Sequence, residues 1–259
     1  MRKFKLWNAT ETTSYDLSTT SVMVSDVSGL GLSFAHEKKQ TSGRTYMVDS
    51  FQEFDEIALQ VYFGINGNPY TEYKAFADFI ISNGSNNFVL EYRYESVVRL
   101  ADVRVKRLPK TQKDTSNTMN YQLILERLTP WYEKVSTTYN SSTNITITNV
   151  HLLPLQLKFT MYGGSGSNVF IYLKNTAGTI TYRTISIPIG SIPVSITLVI
   201  DSELKKVLST MAGSTSNGYG LISRANDTFM MVEQGSFRLD IPVLPSGNTV
   251  LSYKKWVID

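Results

Sequence analysis

Two acidic doublets are the nearest approach to a pair of catalytic carboxylates: Asp201 with Glu203, and Asp55 with Glu56. General acid–base work needs two such groups whose surroundings drive their proton affinities apart. Residues 201 and 203 would share one face of a strand, but Lys205 and Lys206 follow at once, so a solvated turn is the expected structure. The run Gly163-Gly164-Ser165-Gly166-Ser167 has the composition of a phosphate cradle. A cradle works by presenting the amides of a following helix N-terminus. Here Val169-Phe170-Ile171-Tyr172 follows, which is strand-forming, so a hairpin turn is expected. The same context denies Ser165 the strand-to-helix elbow of a hydrolase nucleophile.

Histidine and cysteine complete the inventory. The chain has no cysteine, which excludes a disulfide framework, a thiolate zinc site and a cysteine nucleophile. His36 lies beside Glu37, and His151 stands far from it with no carboxylate at metal-ligand spacing. Surface or packing roles are expected for both, with no enzyme activity, no cofactor and no metal. The sequons at Asn8, Asn140 and Asn144 read as polar loops, because the basic start breaks into polar residues after Trp7, before any apolar segment of signal-peptide length. The longest apolar stretch, residues 192–200, is interrupted by Pro193, Ser195 and Thr197 and falls far short of the ~20 residues that cross a bilayer. A soluble protein is expected. Its 15 Tyr and 3 Trp leave one binding chemistry open, the stacking of sugar on an exposed ring such as Trp256 or Tyr219.

Charge and pattern divide the chain. Residues 1–133 carry 15 basic and 16 acidic side chains, net −1, and residues 134–259 carry 10 and 6, net +4, which gives the overall +3. Neither half has a basic block dense enough for tight nucleic-acid binding. Strands are expected at 22–27 and, with period-two alternation of Ile57, Leu59, Val61 and Phe63, over 57–63. Residues 32–37 and 44–48 flank a polar, glycine-containing tip and predict a long hairpin with few residues suited to a core, an arm that needs a partner surface. Asn68-Pro69 opens a helix over about 70–82, with Tyr73, Phe76, Phe79 and Ile80 on one face and Asn83-Gly84 closing it. Strands at 88–94, 97–108 and 121–128 follow, with a polar loop over 110–118.

Residues 134–148, almost all Ser, Thr and Asn after position 135, read as a linker between domains 1–133 and 149–259. Beyond it the pattern is strand and turn only. Leu153, Leu155, Leu157, Phe159 and Met161 alternate with polar residues, as do Phe237, Leu239, Ile241 and Val243. Turns are expected at 163–166, 177–178, 216–218 and 245–248. The fold class is mainly β: an N-terminal β-sandwich or split barrel with one α-helix and an extended hairpin arm, followed by a C-terminal antiparallel β-sandwich.

In order along residues 1–133, several segments carry a family likeness. They are the opening MRKFKLWNATETTSYDLS, the Gly29-Leu30-Gly31 turn, the strand ending in Phe63, the aromatic face of the helix, Leu108-Pro109-Lys110-Thr111, and Leu128-Thr129-Pro130-Trp131-Tyr132. Together they resemble the distal tail protein (Dit) of long-tailed phages of Gram-positive bacteria; Gln112 departs from the Glu common there after Lys-Thr. The resemblance implies a galectin-like second sandwich and a virion protein of the tail tip or baseplate, made in the host cytoplasm. It implies a homohexameric ring joining the tail tube protein to tail-tip and receptor-binding proteins, with DNA passing through unbound and one ring or two stacked rings left open. Each arm would embrace its neighbour, with Phe34, Lys38, Lys39, Arg44 and Tyr46 as candidate subunit-interface residues. The alternative reading is a carbohydrate-binding adhesin acting through the C-terminal sandwich.

Overall fold

The computed structural model of the chain describes residues 2–30, 32–41, 44–83, 87–106, 117–164, 166–188, 195–223, 227–245 and 247–257, with 32–41 and 44–54 described by their backbone pairing. The predicted positions Gly84, Leu108, Pro109, Lys110, Thr111, Gln112 and Ser165 lie outside them. The chain divides into two compact units, one ending at Tyr132 and one spanning Glu133–Val257.

The first unit contains β1 (Arg2–Asn8), β2 (Ser14–Asp16), β3 (Val22–Ser28), β4 (Leu32–Thr41), β5 (Arg44–Phe54), β6 (Ile57–Phe63), α1 (Pro69–Ser82), β7 (Asn87–Tyr94), β8 (Val97–Val105) and β9 (Met119–Arg127). All pairings are antiparallel. β2, β1, β7 and β8 are neighbours in that order, and β8 also joins β9 at its far end, from which β6 and then β3 continue. Alternation builds the core: Ile57, Leu59, Val61 and Phe63 are fully buried, and Leu123, Tyr121 and Met119 face the last three across the β6–β9 register.

The helix starts where expected, because the Asn68 side chain accepts from the amides of Tyr70 (3.0 Å) and Thr71 (3.4 Å) ahead of Pro69. At its other end the Asn83 amide side chain donates to the Phe79 carbonyl at 2.6 Å. Phe76 is fully buried, 5.2 Å from the ring of Tyr15 and 5.5 Å from that of Phe63, while Phe79 meets Phe88 at 5.8 Å. One aromatic face therefore fastens the helix to the sheet, and Ile81 on the other side is 71% exposed. Strand β1 has no counterpart in the sequence expectations; its inward residues Phe4 and Leu6 are buried between outward lysines.

The second unit contains β10 (Tyr132–Tyr139), β11 (Thr143–Asn149), β12 (Leu155–Gln156), β13 (Lys158–Tyr162), β14 (Val169–Asn175), β15 (Thr181–Ile187), β16 (Ile196–Asp201), β17 (Lys206–Met211), β18 (Ser214–Asn217), β19 (Met231–Val232), β20 (Gly235–Ile241) and β21 (Thr249–Trp256). One sheet runs β18-β17-β16-β13-β21-β10, a second runs β11-β20-β14-β15, and β12 pairs with β19. Leu157, Phe159, Met161, Leu198, Ile200 and Leu251 bury one face of the first sheet. Ile147, Ile171, Leu173, Ile185, Leu239 and Ile241 bury one face of the second.

Two expectations are corrected. The segment 134–148 is strand rather than linker: β10 and β11 occupy it, and Ile147 is buried while the intervening threonines face outward. Threonine is β-branched and suits a half-buried strand as well as a loop, so composition misleads there. The turn expected at 216–218 lies instead at Ala212 and Gly213, both with positive φ, and residues 216 and 217 pair as strand with β17. Positive φ at both central residues is what a two-residue hairpin of type I′ requires.

Candidate assembly interface

The predicted arm is a ribbon of β4 and β5, which among the described residues pair with each other and with no other strand. It prolongs the β3–β6 hairpin, with Ser28 opposite Ala58 below it and Leu32 opposite Phe54 at its base, and it extends to Thr41 opposite Arg44. Candidate residues Lys38 and Lys39 stand opposite Met47 and Tyr46, next to the Thr41–Arg44 pair. Lys38, Lys39, Arg44 and Tyr46 thus gather in the distal part of the ribbon, while Phe34, opposite Gln52, belongs to its proximal part.

The root of the ribbon is held from both sides. Gly29 has φ +77°, and a Cβ there would lie 1.8 Å from the Glu56 carbonyl oxygen, so only glycine lets the outgoing strand pass the returning one. The Glu56 carboxylate pairs with Lys106. One residue further out, the Leu30 carbonyl accepts two hydrogen bonds, from Trp131 Nε1 at 2.8 Å and Arg127 Nη1 at 3.0 Å. Both donors are buried, and the guanidinium lies 5.7 Å from the indole centre.

The segment after β9 exists in this form to deliver that indole. Thr129 Oγ1 accepts from the Asp102 amide at 2.9 Å, the Leu128 amide donates to the Asp102 carbonyl at 2.8 Å, and the Tyr132 hydroxyl donates to Asp102 Oδ1 at 2.8 Å. Three bonds to one residue of β8 lock the Thr-Pro-Trp-Tyr turn and aim Trp131 at Leu30. The tetrapeptide is legible in the sequence but its link to Arg127 is not, because the group that Trp131 and Arg127 both serve is a backbone carbonyl about 100 residues earlier, which no side-chain pattern reports.

Both ends of the first unit's strand order are open. The outer side of β3 has no strand partner among the described residues, and β2 at the opposite end is only three residues long. At Ser25 a bulge breaks the β3 register between Val24–Val61 and Asp26–Gln60. A cleft of about 240 Å³ lies there, walled also by Arg2 and Phe4 of β1. Open edges of this kind are where a second chain adds. Tyr15 is not a proton donor for chemistry: burial first, then Glu72 and Asp16, raise its phenol well above the ordinary value, and its hydroxyl donates to the Glu72 carbonyl at 3.1 Å.

The candidate chemical residues separate. Asp201 is nearly buried, bonded to Lys158 Nζ at 3.0 Å, and accepts the Leu204 amide at 3.0 Å, while Glu203 reaches Lys254 at 2.7 Å. The two carboxylates serve a turn and do not face one reacting atom. His151 is buried; its Nδ1 accepts from the Leu153 amide at 3.2 Å, and burial lowers its proton affinity. Trp256 is 9% exposed and packs near His151, and the Tyr219 hydroxyl donates to the Lys205 carbonyl at 2.7 Å. Neither ring is presented as a sugar platform. Among the described residues no three His, Asp or Glu side chains gather to hold a metal, and no helix is long and apolar enough to cross a membrane.

Residues 3–128 match the family model of the distal tail protein, N-terminal domain. No curated protein sequence matches the chain. Among solved structures, a chain of the phage p2 baseplate in its activated conformation with Sr superposes with a TM-score of 0.70 at 14% identity, covering 99% of each chain. The same baseplate with Ca gives 0.69 at 14% identity and 99% coverage of both chains. The SPP1 Dit protein, described as a paradigm of hub adsorption apparatus in Gram-positive infecting phages, gives 0.63 at 12% identity, covering 97% of this chain and 98% of its own. These likenesses show a shared fold across both units. Residues 3–128 are therefore a distal tail protein N-terminal domain, the domain of a structural component of the phage tail.

Proposed function

We propose that this distal tail protein is the hub of its tail tip: a homohexameric ring that joins the tail tube protein to tail-tip and receptor-binding proteins and lets DNA pass through its centre without specific binding. The observation that carries the reading is the clamped root of the ribbon. A two-stranded ribbon is marginal in water by itself, with its outer backbone groups unpaired. Here a glycine, a buried arginine and a buried tryptophan are committed to holding its base, which is worthwhile only if the ribbon is completed by another surface. A neighbouring copy supplies such a surface, and one heterologous contact repeated about an axis closes a ring. The net charge of +3 suits a conduit, because a strongly basic lumen would hold DNA by counterion release. The subunits are made in the host cytoplasm and assembled into the virion there. Negative-stain imaging of the purified full-length protein tests the reading: rings with a central channel are expected, and isolated two-lobed particles at high concentration would overturn it.

A further inference from the structure

The two ends of the four-stranded sheet in the second unit are finished differently. Strand β15, at one end, is protected in three ways that keep a foreign strand from adding to an edge. A bulge between its pairings Arg183–Leu173 and Thr181–Lys174 leaves Tyr182 without an opposite residue, and Arg183 puts a charge on the strand. Its outward backbone is also covered. The Thr184 amide donates to Asp227 Oδ2 at 2.9 Å, the Ser186 carbonyl accepts from the Ser223 amide at 2.8 Å, and Asp227 meets Arg183 Nη1 at 3.4 Å. In the other sheet, the edge strand β18 is only four residues long.

Strand β11, at the opposite end, has none of these devices. Its seven residues run opposite Gly235–Ile241 of β20 without a bulge, and on its other side it has no strand partner among the described residues. Residues 135–150 contain no charged side chain and no proline. A regular, uncharged edge rich in β-branched residues is a template for a further strand. The order Thr-Asn-Ile-Thr-Ile-Thr-Asn is also nearly symmetric about Thr146. Set antiparallel to itself with Thr146 opposite Thr146, the strand brings Ile145 opposite Ile147, Asn144 opposite Thr148 and Thr143 opposite Asn149. Each pair stays on one face, because side chains alternate with period two. The half-buried Ile145 thereby gains an isoleucine beside it on the inner face, while hydroxyls and amides meet on the outer one with no like charges opposed.

We propose that β11 is a self-association edge, to which a second copy of this chain adds its own β11 antiparallel about a two-fold axis through Thr146. Such a contact is isologous and uses up both open edges. The protected β15 at each far end stops further addition, so the product is one continuous sheet of two copies and not a fibre. A segment of a different protein would need no symmetry in β11, and a charged segment would find no counter-charge there. Seven residues of one edge make a small interface. Between free chains the pair is therefore weak, with a Kd of about 0.1–1 mM, and chains that meet by this edge alone are single in dilute solution. The contact uses no residue of the ribbon, and the proposal does not rest on the ring.

The absence of cysteine allows a direct test on the full-length protein. Directly opposed residues of antiparallel strands have Cα atoms about 4.5–5.5 Å apart, within disulfide reach. Thr146→Cys, oxidised mildly with glutathione disulfide, should therefore give a covalent dimer on a non-reducing gel. Its yield should be at least tenfold that of Thr148→Cys, an equally exposed position whose two copies would lie about 13 Å apart along the strands. The double variant Asn144→Cys with Thr148→Cys should cross-link as readily as Thr146→Cys. Adding Thr146→Lys to it opposes two like charges and should cut the yield at least tenfold. Equal yields from Thr146→Cys and Thr148→Cys, or a double variant indifferent to Thr146→Lys, would overturn the proposal. So would the absence of any cross-linked dimer, the result expected if the edge receives a segment of a different protein.

Discussion

The two units spend their aromatic residues in opposite ways. In the first, Tyr15, Phe63, Tyr73, Phe76, Phe79, Phe88 and Tyr121 form one cluster that binds the helix to the sheet. In the second, the core is mostly aliphatic, and Phe170 and Tyr172 stack on the outer side of the four-stranded sheet, while Phe237 lies on the inner face in line with Ile147 and Leu239. The same residue type therefore carries different information: rings in the first unit hold the scaffold that anchors the ribbon, and those of Phe170 and Tyr172 in the second pack on each other at the face of a sheet. The first unit also places its buried polar bonds at the ribbon root, on Leu30 and Asp102, whereas the second places its buried carboxylates, Asp201 and Asp240, in contact with lysines at the surface.

Substitutions sharpen the contrast. Phe76→Ala has the largest expected effect, a loss of about 3–5 kcal/mol from cavity formation in a packed core; calorimetry should show the first unit's transition falling sharply while the second's holds. The matched change on the outer sheet, Tyr172→Ala, should move stability by no more than about 0.5–1 kcal/mol, and an equal fall in both would erase the distinction. Gly29→Ala comes next, because a residue with φ near +77° costs roughly 1–3 kcal/mol even before its Cβ meets the Glu56 carbonyl. Limited proteolysis should then cut within 32–54 faster than in the wild type. Trp131→Phe keeps a ring but removes the indole donor to Leu30, a loss of about 1 kcal/mol, again read as faster cleavage of the ribbon.

The smallest expected effect is on pH. His151 is held neutral, since protonation would remove the lone pair by which Nδ1 accepts the Leu153 amide. Its folded value lies below the unfolded one of 6.5, so above that pH neither state takes the proton and His151 contributes no pH dependence. As pH falls below 6.5, the unfolded chain binds a proton that the folded chain refuses, and stability drops until the folded value is reached. Thermal melts from pH 7.5 to 5 should therefore fall more steeply for the wild type than for His151→Leu; parallel curves would contradict the assignment.

How much of this was legible in the sequence depends on where each signal resides. The β6 alternation and the Asn68-Pro69 helix entry are local, and both stand where the pattern placed them. Strand β1 is not legible because Lys3, Lys5 and the large apolar Trp7 share its outward face, which blurs the alternation and leaves only Phe4 and Leu6 to mark the inner face. Strands β10 and β11 were missed because Ser, Thr and Asn dominate both, although Ile145 and Ile147 already alternate with threonines there. The ribbon was visible as two polar flanks around a glycine-containing tip. Its clamp was not, since the Leu30 carbonyl has no residue-type signature. Nor was the contrast between the edges of the four-stranded sheet, since the cover over β15 comes from Ser223 and Asp227, far along the chain.

The central claim is that the ribbon completes itself on another copy. The register sets the cleanest cut: Ala35 stands opposite Phe51, so replacing residues 36–50 with Asn-Gly closes a shortened hairpin above the intact clamp. Light-scattering mass of the purified wild type beside this variant is the direct measurement. The account predicts a closed oligomer of the wild type and a folded monomer of the variant; equal masses for the two would contradict it.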